Sequence, residues 1–146
     1  MATNVFINLP TTDLERCKAF FEALGWSINP LFTDENAACV VVDENVYLMM
    51  LKPDFFAQFT DKPIADPGKS CQVEVALDFE SREAVDAITA KALAAGGREP
   101  KEPQDLGFMY GRDFEDPDGN LFSVFWMDPV ASEQGPGAVA EQPQEA

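Results

Sequence analysis

The residues able to do chemistry in this chain are carboxylates, amides, hydroxyls, thiols and cations, because the 146-residue sequence contains no histidine. Serine–histidine triads, cysteine–histidine dyads and histidine metal sites are thereby excluded. Two polar residues, Gln72 and Glu74, stand two apart in an alternating stretch, which puts both on one face of a strand. Near the other end, Tyr110 and Arg112 precede an Asp116-Pro-Asp-Gly119 turn, and Ser123 and Phe125 follow it. Pro at the second position and Gly at the fourth suit a type I turn. If Asp116 and Gly119 close a tight hairpin, Arg112 lies opposite Ser123 and Tyr110 opposite Phe125. A guanidinium so placed can anchor a carboxylate or phosphate, or pair with Glu74. Glu74 itself, raised in pKa by apolar neighbours, could act as a general base; the competing reading is a carboxylate paired with Arg112 or solvated.

The elements that must position these groups follow from periodicity. Val5–Leu9 reads as a strand stopped by Pro10, and Thr12-Asp-Leu-Glu15 reads as a capping box. Leu14, Cys17, Phe21 and Leu24 repeat at helical spacing until Gly25. Trp26–Phe32, Ala38–Val42 and Val46–Leu51 read as strands, and Lys52–Lys62 as a helical turn and loop. The order then repeats: strand Cys71–Phe79, a helix capped by Ser81 and running to about Ala95, then strands near Arg98–Glu99, Met109–Phe114 and Leu121–Met127. Two copies of strand, helix, strand, strand, strand predict two modules sharing one continuous sheet surface. Alternation puts Phe6 and Asn8, Gln72 and Glu74, and Ser123 and Phe125 on the faces turned away from the helices.

Composition bounds the function classes. Apolar residues make up 46% and aromatics 11%, which suits one folded domain with a substantial core. A formal charge of −16 argues against nucleic acid or an anionic membrane as partner, since both need a cationic face. Cys17, Cys39 and Cys71 have no CxxC spacing, and no export signal or span-length apolar run is present, which points to reduced thiols in a cytoplasmic protein. The domain is expected over 1–128, with module one at 1–62 and module two at 70–128. The Ala-, Gly-, Pro-, Gln- and Glu-rich stretch 129–146 is expected to be a flexible acidic tail.

The opening Ile7-Asn-Leu-Pro-Thr-Thr-Asp-Leu-Glu-Arg with Phe20-Phe-Glu-Ala-Leu-Gly25, and the closing Phe114-Glu-Asp-Pro-Asp-Gly-Asn-Leu-Phe-Ser-Val-Phe-Trp126, resemble the vicinal oxygen chelate superfamily of glyoxalases, bleomycin-resistance proteins and extradiol dioxygenases. More narrowly, the chain is similar to small proteins described as lactoylglutathione lyase-like. The resemblance implies an α+β fold of two paired βαβββ modules, a cup-shaped mixed sheet, and a homodimer in which two subunits complete each cup. It also implies one metal ligand on each of four strands, and those positions fall on Phe6, Met49, Gln72 and Ser123. Only Gln72 is a plausible donor there, so no metal and no other cofactor is expected. The favoured expectation is metal-independent binding of a small, partly apolar or anionic molecule through Phe6, Asn8, Met49, Gln72, Tyr110, Arg112, Ser123 and Phe125. The alternatives are a lyase or isomerase using Glu74 as base, and a subunit-interaction module with a vestigial cup.

Overall fold

A computed structural model describes residues 2–138. Strand β1 (Val5–Pro10) leads into helix α1 (Leu14–Ala23), then β2 (Ser27–Ile28), β3 (Ala37–Asp43) and β4 (Val46–Leu51). A short helix α2 (Pro53–Phe56) and a Pro-containing linker lead to β5 (Glu74–Asp78), α3 (Arg82–Ala94), β6 (Gln104–Asp105), β7 (Met109–Glu115) and β8 (Leu121–Met127). The two modules have the same order. β1 pairs in parallel with β4 in a sheet ordered β1-β4-β3-β2, and β5 pairs in parallel with β8 in a sheet ordered β5-β8-β7-β6. The architecture is α+β, as the element order predicted.

The two sheets are separate, which corrects the expectation of one continuous surface. β1 and β5 are both edge strands, and the chain before β5 passes through Pro63 and Pro67, which cannot donate to a ladder. The modules are joined instead through a common core on their helix-covered faces. Phe20 and Phe21 of α1 meet Phe114 and Phe122 of the second sheet at ring-centroid distances of 6.2 and 5.7 Å. Leu48, Met50, Val85 and Val124 complete the fully buried interior.

Several boundaries differ from expectation for local reasons. Helix α1 is capped by Asp13, whose carboxylate accepts from the Arg16 amide at 3.0 Å. Thr12, the expected cap, is engaged elsewhere: its amide and hydroxyl both donate to Asp118, at 2.9 and 2.8 Å. The strand expected over Trp26–Phe32 stops at Ile28, because Asn29 caps a 3-10 turn at Pro30–Phe32. β5 starts at Glu74, so Gln72 precedes the strand. Beyond β8, Pro129–Gln134 forms helix α4 with Ala131 buried, where an unstructured tail was expected; Asp128 caps it and Pro at its first position suits helix entry. The remainder of that expected tail, 139–146, lies outside the described residues. None of the described helices is long and apolar enough to cross a membrane.

The hairpin between β7 and β8 carries the most consequential difference. The Gly119 amide donates to the Asp116 carbonyl, closing the type I turn, but Gly119 itself has φ +102° and adds one residue before the ladder resumes. Asp116 then pairs with Asn120 rather than Gly119. The register becomes Asp113 opposite Ser123, Arg112 opposite Val124 and Tyr110 opposite Trp126. A one-residue slip reverses every side chain on the strand.

Candidate functional site

The sheet faces turned away from the shared core are the candidate site. On the first sheet they carry Phe6, Asn8, Tyr47 and Met49. Register puts Phe6 beside Tyr47 and Asn8 beside Met49, and the Phe6 and Tyr47 rings stack at 4.7 Å. On the second sheet they carry Glu74, Ala76, Ser123, Phe125 and Asp113, since Val75, Phe122 and Val124 point into the core.

Two hollows lie on these faces. The first is a cavity of about 270 Å³ at the junction of the modules. β1 contributes Asn8 and Leu9, the end of α2 contributes Phe56, the linker contributes Ile64 and Gln72, and the start of β8 contributes Leu121. The second hollow, of about 200 Å³, lies on the second sheet and includes Glu74, Lys101, Asp113, Ser123 and Phe125. Lys101 and Asp113 form an ion pair at 3.5 Å, so this hollow is charged where the first is not. Glu74 has no ionic or hydrogen-bonded side-chain partner among the described residues.

Six of the sequence-derived residues keep the facing expected of them: Phe6, Asn8, Met49, Glu74, Ser123 and Phe125. Gln72 also reaches the site, though from the linker and through the junction cavity. They divide between the two hollows and the open face of the first sheet instead of converging on one point. Arg112 and Tyr110 do not belong to the site. The shifted register turns both onto the helix-covered face, and their partners are there. Arg112 holds both oxygens of Glu99, at 2.9 and 3.0 Å, and reaches Asp86 of α3 at 3.0 Å. Tyr110 donates to the same Asp86 oxygen at 2.6 Å. These bonds favour the charged forms: the Glu99 carboxylate, foremost, raises the Arg112 pKa, and the Tyr110 hydroxyl, then Arg112, hold Asp86 below the usual range. Arg82 sits next to them, 5.3 Å from the Tyr110 ring centre and 5.0 Å from that of Trp126, while gripping Asp105 at 2.6 and 3.0 Å.

The linker residues Pro63 and Ile64, the Tyr47 ring and the Lys101–Asp113 pair are site features that periodicity did not reveal. Asp113 was legible only to a reading with the correct turn length. The linker walls have no periodic signal, because loops fold over cavities without alternation.

One turn organises the junction cavity. Asp118 accepts from the Thr11 hydroxyl at 2.6 Å, from the Thr12 amide and hydroxyl, and from Arg16 at 2.9 Å, tying the second module to the start of α1. Asn120 donates to the Pro10 carbonyl at 3.0 Å. Asp116 is buried at the centre, accepting from the Asp118 and Asn120 amides and from the Asn120 side chain. Burial outweighs those bonds and pushes the Asp116 carboxyl up to about 6. On the same turn, a Cβ at Gly119 would come within 2.7 Å of the Pro67 carbonyl, so the linker lies directly against it.

A metal in the manner of the enzymes this chain resembles would need donors at Phe6, Met49, Gln72 and Ser123. A phenyl ring and a thioether give no charged oxygen or imidazole, Gln72 lies outside its strand, and the serine is a weak donor. Among the described residues no group of three or more His, Cys, Asp or Glu is arranged to hold an ion. The residues do not fit the metal.

With the geometry in hand, comparison with known proteins gives consistent results. A family described as bleomycin resistance protein-like N-terminal matches residues 3–43. A hypothetical protein from S. aureus is 25% identical, with 86% of this chain and 94% of that one aligned and a TM-score of 0.72. A glyoxalase/bleomycin resistance protein/dioxygenase family enzyme from Burkholderia phytofirmans is 20% identical, with 86% and 99% aligned and a TM-score of 0.71. A bleomycin resistance determinant encoded on the transposon Tn5 is 20% identical, with 86% and 98% aligned and a TM-score of 0.60. Among curated proteins none matches the sequence. The fold is that of the glyoxalase and bleomycin-resistance proteins.

Proposed function

We propose that this chain, a member of the vicinal oxygen chelate superfamily by its fold and its N-terminal segment, binds a small molecule and does so without a resident metal. The donor set carries the reading. Four positions that would have to converge on an ion hold an aromatic, a thioether, a displaced amide and a hydroxyl, while a cavity of about 270 Å³, with Gln72 on its wall, stands open at the module junction. Divalent ions in such sites need several charged oxygens or imidazoles. Equilibrium dialysis against Ni²⁺ or Mn²⁺, read by elemental analysis, should leave far less than one ion per chain. A full equivalent that disappears in Gln72→Ala or Glu74→Ala would sink the proposal.

Of the partly apolar or anionic ligand expected from the sequence, the anionic form loses its anchor with Arg112 turned onto the helix-covered face, and the partly apolar, uncharged form is kept. A homodimer is part of the same proposal. The apolar side chains of Phe6, Leu31 and Phe32 are 53%, 85% and 67% exposed, and such surface in one chain marks a contact with another. Sedimentation velocity decides it. A cytoplasmic location is kept in the proposal, supported by three unpaired thiols.

The second reading, a lyase or isomerase, rests on Glu74. Its carboxylate stands unpartnered in the charged hollow beside Ser123 and Lys101, where a base would be useful. Turnover lost in Glu74→Gln with ligand affinity retained would favour it.

A further inference from the structure

We infer that the junction cavity takes an uncharged, ring-sized, largely apolar molecule with one edge that hydrogen-bonds to primary amides. The inference rests on the small-molecule reading above and names its ligand class. Sixteen residues line the cavity, and none is Asp, Glu, Lys or Arg, in a chain where those types make up 25%. A charged group lodged against such a wall gives up hydration without gaining a counter-ion. Asp61, Lys62, Asp66, Lys69 and Glu74 stand next to wall residues in the sequence but do not line the cavity, and on the turn beside it Asp118 is held by Thr11, Thr12 and Arg16, and Asp116 by Asn120. The wall therefore selects against both signs of charge, although the molecule as a whole is strongly acidic.

Size narrows the class. An apolar cavity of ~150 Å³ holds benzene, so about 270 Å³ suits a fused bicyclic ring or a substituted single ring. Leu9, Phe56, Ile64, Val73 and Leu121 give that ring its apolar surroundings. The polar edge comes from Asn8 and Gln72, whose side chains have no hydrogen-bond partner among the described residues and which each offer a donor and an acceptor. Asn120, the third amide on the wall, is already spent on Pro10 and Asp116.

The cavity contains its own reporter. Cys71 lines it and is the one exposed thiol, with Cys17 and Cys39 buried. The experiment follows alkylation of Cys71 by iodoacetamide, read by intact mass, in the presence of 2-naphthamide, 2-naphthoate or 2-naphthylmethylammonium. The neutral amide should protect at a concentration at least roughly tenfold below that of either ion. Asn8→Leu or Gln72→Leu should raise its half-protecting concentration by roughly tenfold, the effect of losing one or two buried hydrogen bonds. If a variant fails to fold, by far-ultraviolet dichroism, the three-ligand series on the parent chain still decides. Better protection by an ion would overturn the ligand class and leave the small-molecule reading standing, whereas no protection by any of the three at millimolar concentration would remove both. Protection that needs no additive and vanishes in Leu31→Ser or Phe32→Ser would assign the cavity to a second copy of the chain and overturn the inference.

Discussion

Arg112 grips both carboxylate oxygens of Glu99, at 2.9 and 3.0 Å, on the helix-covered face of β7. The pair is mostly buried, the two side chains being 19% and 22% exposed. Bidentate geometry makes it one of the stronger polar contacts in the protein, and removing one partner strands the other. Arg112→Ala should therefore cost about 2 kcal/mol of stability in urea denaturation. Affinity for any ligand of the cup should stay unchanged. A variant that keeps its stability and loses ligand binding would return Arg112 to the site.

Asp118 makes a comparable tie between the modules, accepting from Thr11, Thr12 and Arg16 while its own side chain is 5% exposed. Asp118→Ala leaves the Thr12 amide without its acceptor and the Thr11 hydroxyl with only the longer bond to the Asp13 carbonyl, at 3.3 Å. We expect a loss of about 2–3 kcal/mol and faster hydrogen exchange at the Thr12 amide. Exchange at Thr12 as slow as in the parent would show that another group supports the start of α1.

The buried Asp116 gives the stability curve a definite sign. Its carboxyl holds a proton up to about pH 6 in the folded protein, against an ordinary value of 3.8. Between those values the folded state binds the proton and the unfolded state does not, so this group's contribution is full below pH 4 and falls as pH rises through 6. The loss amounts to about 3 kcal/mol. Asp86 and Asp105, held low by Tyr110 and Arg82 respectively, act in the opposite direction: their contribution is full above the usual carboxylate range and is lost as pH falls below it. The measurement is accordingly a difference: the stability of Asp116→Asn minus that of the parent should climb between pH 4 and pH 7. A flat difference would show that Asp116 titrates normally.

Thiol chemistry should separate the three cysteines. Burial, with the Asp116 charge second, pushes the Cys17 thiol up to about 12, and burial also raises that of Cys39. Thiolate is the reactive form, so both should be inert in the folded chain. A colorimetric thiol titration at pH 8 should find one fast equivalent, at Cys71, and two more only after denaturation. A second fast equivalent would mean that the core around Cys17 or Cys39 opens readily.

Helical spacing in Leu14, Cys17, Phe21 and Leu24, the Ser81 cap and the alternation of β1 and β8 were enough to place the elements and the core faces. Those signals are local, and local propensity and tertiary packing agree there. What failed was decided by single residues acting at a distance. Thr12 has the chemistry of a helix cap, but Asp118, 106 positions away, takes both its amide and its hydroxyl, and Asp13 caps instead. Gly119 suits the fourth position of a tight turn, yet its positive φ adds a residue to the connection. That one residue moved Arg112 and Tyr110 from one side of the sheet to the other. The cavity walls at Pro63 and Ile64 lie in a linker, where no periodicity exists to be read.

The aromatic rings of α1 belong to both halves of the molecule. Phe20 and Phe21 leave their own βαβββ unit to rest on Phe114 and Phe122 of the other. A half cut out at the linker would display those rings to water. Severed there, neither unit would keep its interior dry.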